Sequence, residues 1–488
     1  MIPDRTSYAE RVFTNRNLRL NGIEAIGFDM DYTLAIYKPE LQFLAARLAL
    51  EVMVREHGYP KSIESIEYDP SFALRGVVVD KKHGNIFKMD GHRHVGRVFH
   101  GMRRLEKSEM KRVYRRDRVR LMRNRYGSLD TLFEVPETYL YARMVDMIDA
   151  GELEVQGANP YLQLFEDIRS SIDQIHRDNS LKTEILRSPE TYIERDPELA
   201  RTLEQFRAVG KQLFLLTNSE WFYTDAIMTF LLEGQLDAYP HWRDYFEHVV
   251  VFARKPLFFS GASPFQRIGQ DGNPLDERVD GFEEGEAYQE GNARDFERFM
   301  GFQGDAVLYV GDHIYGDVVR SKKSVSWRTA MIIPEMEEEL RCVEAVLPLL
   351  REREGLDRAR RALDDDHSHH QLVLRELERA PGKRRYLPEA LAIAREKSES
   401  RVAVLMEQIR ENVSRTREVD RWIQQQFNPY WGQLFRSHDE YSAFGTQVAQ
   451  YACVYTARVS NFLAVPPTHY FRTPRDRMPH ERWDLYSG

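Results

Sequence analysis

The stretch Ile26-Gly27-Phe28-Asp29-Met30-Asp31-Tyr32-Thr33-Leu34-Ala35 ends an apolar run in two closely spaced carboxylates. Residues 23–28 have the length and composition of a buried strand. Asp29 and Asp31, directly after it, repel each other unless a cation or hydrogen bonds compensate them. A hard, oxygen-seeking ion such as Mg²⁺ suits the pair, because it binds few carboxylates and keeps waters that a phosphate can replace. Alone, such a D-x-D pair is more often a solvated turn.

Further apolar runs at 213–216, 249–252, 306–310 and 329–333 also read as strands, and most are separated by amphipathic segments of helical length. The alternation predicts an α/β, Rossmann-like fold with a parallel sheet and helices on both faces. Ligands of such sheets bind beyond the carboxyl ends of the strands, so the groups closing each run are the candidates. Thr217, Asn218 and Ser219 close the second run. Their hydroxyls and N–H groups suit phosphoryl oxygens, and equally an ordinary helix cap. Lys255, past the third, can neutralise a transferring phosphoryl group, although most lysines are simply solvated. Asp312 and Asp317 follow the fourth, where Gly311 and Gly316 let the chain turn.

The gap between the first two strands far exceeds one crossover helix. The expected organisation is therefore a core begun by residues 1–36, an inserted cap or substrate region at 37–200, the rest of the core at 201–345, and a helical C-terminal region at 346–488 packing on core and cap. Within the cap, 76–79 and 85–89 flank Lys81-Lys82-His83-Gly84 as a β-hairpin. Residues 103–125 hold eleven Lys/Arg against three acids. A Gly- and acid-rich insertion, 260–293, reads as an exposed hairpin or loop. The run DDDHSHH (364–370) and Pro381-Gly382 read as a break between helices; the histidines could bind a transition metal, with an inter-helix loop the preferred reading.

The 488 residues carry a formal net charge of −8, which argues against binding a nucleic-acid polymer. The two cysteines, Cys342 and Cys453, exclude a disulfide framework and fit a reducing compartment. The N-terminal MIPDRTSYAERVF has no apolar leader, and residues 41–54 are too short to span a bilayer. A soluble cytoplasmic protein without membrane partners is expected.

Together the four strand ends carry D-x-D, T-N, K and G-D-x-x-x-x-D, in the order that resembles the haloacid dehalogenase superfamily of phosphohydrolases. The resemblance implies that Asp29 forms an aspartyl-phosphate and Asp31 is the general acid and base. It implies Mg²⁺ held by Asp29, the main-chain carbonyl of Asp31 and Asp312, with Asp317 in support, and a phosphoryl group gripped by Thr217 and Lys255. A catalytically silent binding protein on the same fold is the alternative, opposed by the presence of every motif residue.

A narrower resemblance covers nearly the whole chain. FDMDYTLA, LFEVPETYL (132–140), LLTNS, ARKPLFF, GDHIYGDVVRSKKSVSWRT (311–329), NPYWGQLFR (428–436) and MPHE (478–481) look like the cytosolic purine 5′-nucleotidase family, which prefers inosine and guanosine monophosphates. It implies that Phe133 stacks on the base and that Arg169, Asp173 and His176 contact the nucleoside from one helix face. It also implies that Lys182 meets the phosphate and that Asn218 and Ser219 border the substrate. Phosphoryl transfer to a second nucleoside and homo-oligomerisation are further implications. Glu134 replaces a family Asn and Arg177 a family Tyr, which bears on base preference; an acid at 134 favours an N–H donor and so guanine. A nucleotide effector site would involve Arg120, Lys323 and Tyr315, but Asp130 stands where the family has Asn and would oppose a phosphate. The family's acidic C-terminal tail has no counterpart in HERWDLYSG. Phosphatase action on another small metabolite is the competing enzyme reading.

Overall fold

The apolar runs become strands, and the four with motifs at their ends lie side by side. The computed structural model describes residues 7–72, 74–114, 119, 124–314, 317, 325–379, 388–437 and 440–474. Among these, nine strands form one sheet: β1 (Phe13–Thr14), β2 (Ala25–Phe28), β3 (Gln212–Leu216), β4 (His248–Val251), β5 (Phe265–Arg267), β6 (Ala287–Glu290), β7 (Val307–Gly311), β8 (Arg328–Ile332) and β9 (Val454–Thr456). Their order is β1-β9-β8-β7-β2-β3-β4-β6-β5, with the inner strands parallel and β1 and β5 antiparallel at the edges. Every residue of β2 and β7 is buried, as expected for strands covered on both faces. On one face Phe214, Leu216, Val250, Phe258, Phe296, Tyr309 and Trp327 form a common core. Gly27 is required there, since a Cβ would lie 2.2 Å from the Phe214 ring.

Between β2 and β3 come α1 (Pro39–Glu56), a five-stranded antiparallel sheet, α2 (Val135–Asp149), α3 (Pro160–Arg177) and α4 (Ser180–Arg187). The hairpin forms as expected, with Val78–Asp80 paired to Asn85–Met89. α1 packs on both α2 and α3. After β3, α5 (Trp221–Leu232) follows the Thr217–Ser219 turn.

Three expectations are refined. The 260–293 insertion is the expected hairpin, but it is not exposed throughout. Its ends are β5 and β6, and Phe265 and Tyr288 are buried with Phe282 packed against them. The C-terminal region is not uniformly helical either. Residues from Leu434 onward belong to the same compact unit as the sheet, and β9 inserts between β1 and β8. Glu339–Gln433 is a second compact unit. There α6 (Met336–Arg379) and α7 (Pro388–Gln424) run antiparallel, as shown by Arg353–Asp420 at 2.7 Å and Arg401–Asp366 at 2.6 Å. Thirdly, 364–370 lies inside α6 and is no break. Asp366 pairs with Arg401, and His370 meets Ser398 at 3.3 Å, so the run faces α7. The Pro381-Gly382 pair lies outside the described residues, as do Arg120, Tyr315, Lys323 and residues 478–481.

No helix among the described residues is long and apolar enough to cross a membrane.

Candidate active site

The parallel pairing brings the strand ends together through the main chain. Asp29 N–H donates to Val310 at 2.9 Å, and Thr217 N–H donates to Val250 at 3.0 Å. Asp29, Asp312 and Asp317 are buried and can offer carboxylate oxygens within 4.8 Å of one another. Lys255 Nζ lies 2.9 Å from Asp29 and 2.8 Å from Asp317, and donates to Tyr309 at 2.8 Å. Tyr309 in turn donates to the Leu216 carbonyl at 2.9 Å. Gly311 makes room for this cluster, because a Cβ there would fall 2.6 Å from Asp317 Oδ2.

A second cation was not legible in the sequence. The Arg75 side chain is fully buried. Its Nη1 donates to the Asp312 carbonyl at 2.8 Å and sits 3.6 Å from the Asp312 carboxylate. Its Nε and Nη2 form a bidentate pair with Glu335 at 3.0 and 2.8 Å. Nothing in the local sequence marks Arg75. Glu335, by contrast, follows β8 and was open to the same strand-end reasoning as the others.

Burial pushes the Asp29 carboxyl up to about 7 against the pull of Lys255. It pushes Asp312 well above the carboxylate range, against Arg75. Burial also works against the Lys255 ammonium, but Asp29 and Asp317 outweigh it, and its pKa rises. Four carboxyl groups thus face two cations, and the pull to hold protons on Asp29 and Asp312, with the all-oxygen donor set, fits a divalent cation that would take the place of those protons.

Above the cluster opens a cavity of about 400 Å³, within the range of small-molecule sites. Its lining includes Asp29, Asp31, Asn218, Ser219, Lys255 and Asp312 together with Phe133, His176 and Lys182. Phe133 and His176 pack edge to face at 5.2 Å. Burial, with Lys182 nearby, lowers the His176 pKa to about 4, so its ring is neutral near pH 7. Lys182 is paired to Glu220.

Other expected residues sit differently. The Thr217 hydroxyl is fully buried and accepts from the Ser219 N–H at 3.1 Å. The Asn218 amide clasps the Lys255 main chain, donating to its carbonyl at 3.0 Å and accepting from its N–H at 2.6 Å. The Ser219 hydroxyl donates to Asp31 at 2.7 Å. Arg169 and Asp173 are not among the cavity-lining residues. Arg169 is bound by Glu134 and Glu137, each at 2.7 Å, and Asp173 is exposed. Glu134 is therefore engaged by Arg169 rather than available as an acceptor for the base. Sequence reasoning treated 134 and 169 separately and missed that their charges cancel.

The sheet order and the acid–lysine cluster at its strand ends match the arrangement expected from the sequence for a phosphohydrolase core of haloacid dehalogenase type. A model of the 5′ nucleotidase family matches residues 12–483, and the chain belongs to that family. It is 30% identical over 480 residues to a 5′-nucleotidase domain-containing protein of Dictyostelium discoideum, covering 96% of this chain and 74% of that one. Among solved structures, a predicted phosphoglycolate phosphatase from Haemophilus somnus is similar at 15% identity, covering 64% of this chain and 85% of that one, with TM-score 0.27. CbbY from Rhodobacter sphaeroides is similar at 11%, covering 64% and 86%, with TM-score 0.23. The protein is a phosphoric monoester hydrolase.

Proposed function

We propose that this hydrolase acts on purine nucleoside 5′-monophosphates of the inosine and guanosine type, with Mg²⁺ and an aspartyl-phosphate on Asp29. The observation that carries the reading is one cavity joining the acid–lysine cluster to the Phe133–His176 ring pair. A phosphate suits the acid–lysine cluster and a planar base the ring pair.

Asp29 attacks phosphorus as the ester P–O bond breaks, and Asp31 gives its proton to the leaving oxygen. Asp31 then takes a proton from water as that water attacks phosphorus and displaces Asp29. A nucleoside hydroxyl in place of water makes the same step a phosphotransfer. Lys255 neutralises charge on the phosphoryl oxygens, and Thr217, whose buried hydroxyl accepts from the Ser219 N–H, holds the turn beside them. Mg²⁺ supplies further neutralisation of those oxygens; Asp29, the Asp31 main-chain carbonyl and Asp312 would hold it, with Asp317 behind. Lys182 reaches the phosphate by exchanging Glu220 for it.

One observation favours a second reading, a phosphatase of another small metabolite: Arg169, expected to read the base, is bound by Glu134 and Glu137. A phosphate-release panel of nucleoside 5′-monophosphates and sugar phosphates, with and without Mg²⁺, decides between them. Mg²⁺-dependent preference for inosine or guanosine monophosphate supports the proposal. Preference for a sugar phosphate, or unchanged turnover in chelator, overturns it.

A further inference from the structure

Both oxygens of Asp31 are already engaged from the protein side. Oδ1 accepts from the Tyr37 hydroxyl at 2.6 Å, and Oδ2 accepts from the Ser219 hydroxyl at 2.7 Å. The Tyr37 oxygen also lies 2.9 Å from the Tyr223 hydroxyl. Since Tyr37 has a single proton and gives it to Asp31, Tyr223 is the donor in that second bond. Tyr37, Ser219 and Tyr223 are all buried.

Their own frame is firm. Tyr37 packs edge to face on Tyr32 at 5.0 Å and on Phe133 at 5.9 Å. Main-chain bonds on either side, Glu194 N–H to Ile36 at 2.9 Å and Lys38 N–H to Tyr192 at 2.8 Å, fix the segment. The Ser219 carbonyl accepts from Phe252 N–H at 2.8 Å.

A carboxylate has about four lone-pair positions. Two on Asp31 are occupied by hydroxyl protons, while Asp31 itself lines the cavity. While both hydroxyls donate, a further proton is left to the remaining lone pairs. We propose that Tyr37 and Ser219, backed by Tyr223, are positioning residues that confine the exchangeable proton of Asp31 to its cavity side, toward the leaving oxygen. This rests on the reading of Asp31 as the general acid. Ser219, expected from sequence to meet substrate, acts on Asp31 from the cavity wall.

A proton donor matters most when the leaving group is a poor one, so the test compares esters. Tyr37→Phe, Ser219→Ala and Asp31→Asn are assayed with inosine monophosphate, an alkyl ester, and with p-nitrophenyl phosphate, whose leaving group departs without help. Tyr37→Phe keeps the ring that packs on Tyr32 and Phe133. The expected result for Tyr37→Phe is a loss of about tenfold or more in the single-turnover rate of leaving-group release from the alkyl ester against less than about twofold from the aryl ester, with the same alkyl-over-aryl selectivity in Ser219→Ala, as a fraction of the usual general-acid contribution. Equal losses on both esters, or none, overturn the inference. The control separates the two levels. If Asp31→Asn is selective for the alkyl ester and the other variants are not, this inference fails alone. If Asp31→Asn slows leaving-group release from both esters equally in a single turnover, the acid assignment and the inference fall together.

Discussion

Lys255 is the residue on which the charge balance of the site turns. Its ammonium touches Asp29 and Asp317 within 2.9 Å, and its main chain is clasped by Asn218. Removing one partner of a buried ion pair strands the other's charge and costs about 3–5 kcal/mol. Lys255→Met should therefore lower the urea midpoint clearly and cut phosphate release by about 10²- to 10³-fold, the range for losing one preorganised charge-stabilising donor. A steady-state assay beside a denaturation curve measures both. At this scale the sequence was informative wherever a polar residue closed an apolar run: Asp29, Asp31, Thr217, Lys255 and Asp312 could all be named from that rule. Arg75 could not, because a buried arginine looks like a surface one until its partners are known. Tyr37 escaped for a similar reason, since an aromatic beside a strand end reads first as core.

Among the elements, the ends of β7 and β8 are tied to the inserted region by Arg75, which reaches Asp312 and Glu335 at once. Arg75→Met leaves two acids without their cation. A loss of about 3–5 kcal/mol in unfolding free energy is expected from chemical denaturation. β4 carries a different prediction. The His248 ring lies against Phe282 at 4.9 Å, and burial lowers its pKa from 6.5 to about 4. Between those values the unfolded chain binds the proton more readily than the folded one, so stability falls as pH drops from about 6.5 toward 4. His248→Gln should lose less stability than the wild type between pH 7 and pH 5, as read from urea midpoints. The sequence located β4 from its apolar run but could not foresee β9, a three-residue strand in a region read as helical. Nor could it see that 364–370 continues a helix: its acids and histidines look like a loop, yet they find partners on α7.

For the whole molecule, a net charge of −8 coexists with a site open to an anion, because Lys182 and Lys255 line the cavity and act at short range. The parallel sheet was legible from the spacing of apolar runs, and the insertion from the length of one gap. The division of the chain at Glu339 and its return at Leu434 were not, since that depends on pairing between β8 and β9, more than a hundred residues apart in sequence. The proposed reaction turns on an Asp29 carboxylate oxygen as the atom that takes the phosphoryl group. Rapid quench of a single turnover with phosphate-labelled inosine monophosphate, followed by peptide mapping, tests that most directly. The account predicts label on the peptide containing Asp29 in the wild type, and none, with phosphate release abolished, in a folded Asp29→Asn variant. Continued turnover by Asp29→Asn, or label on another residue, would contradict it.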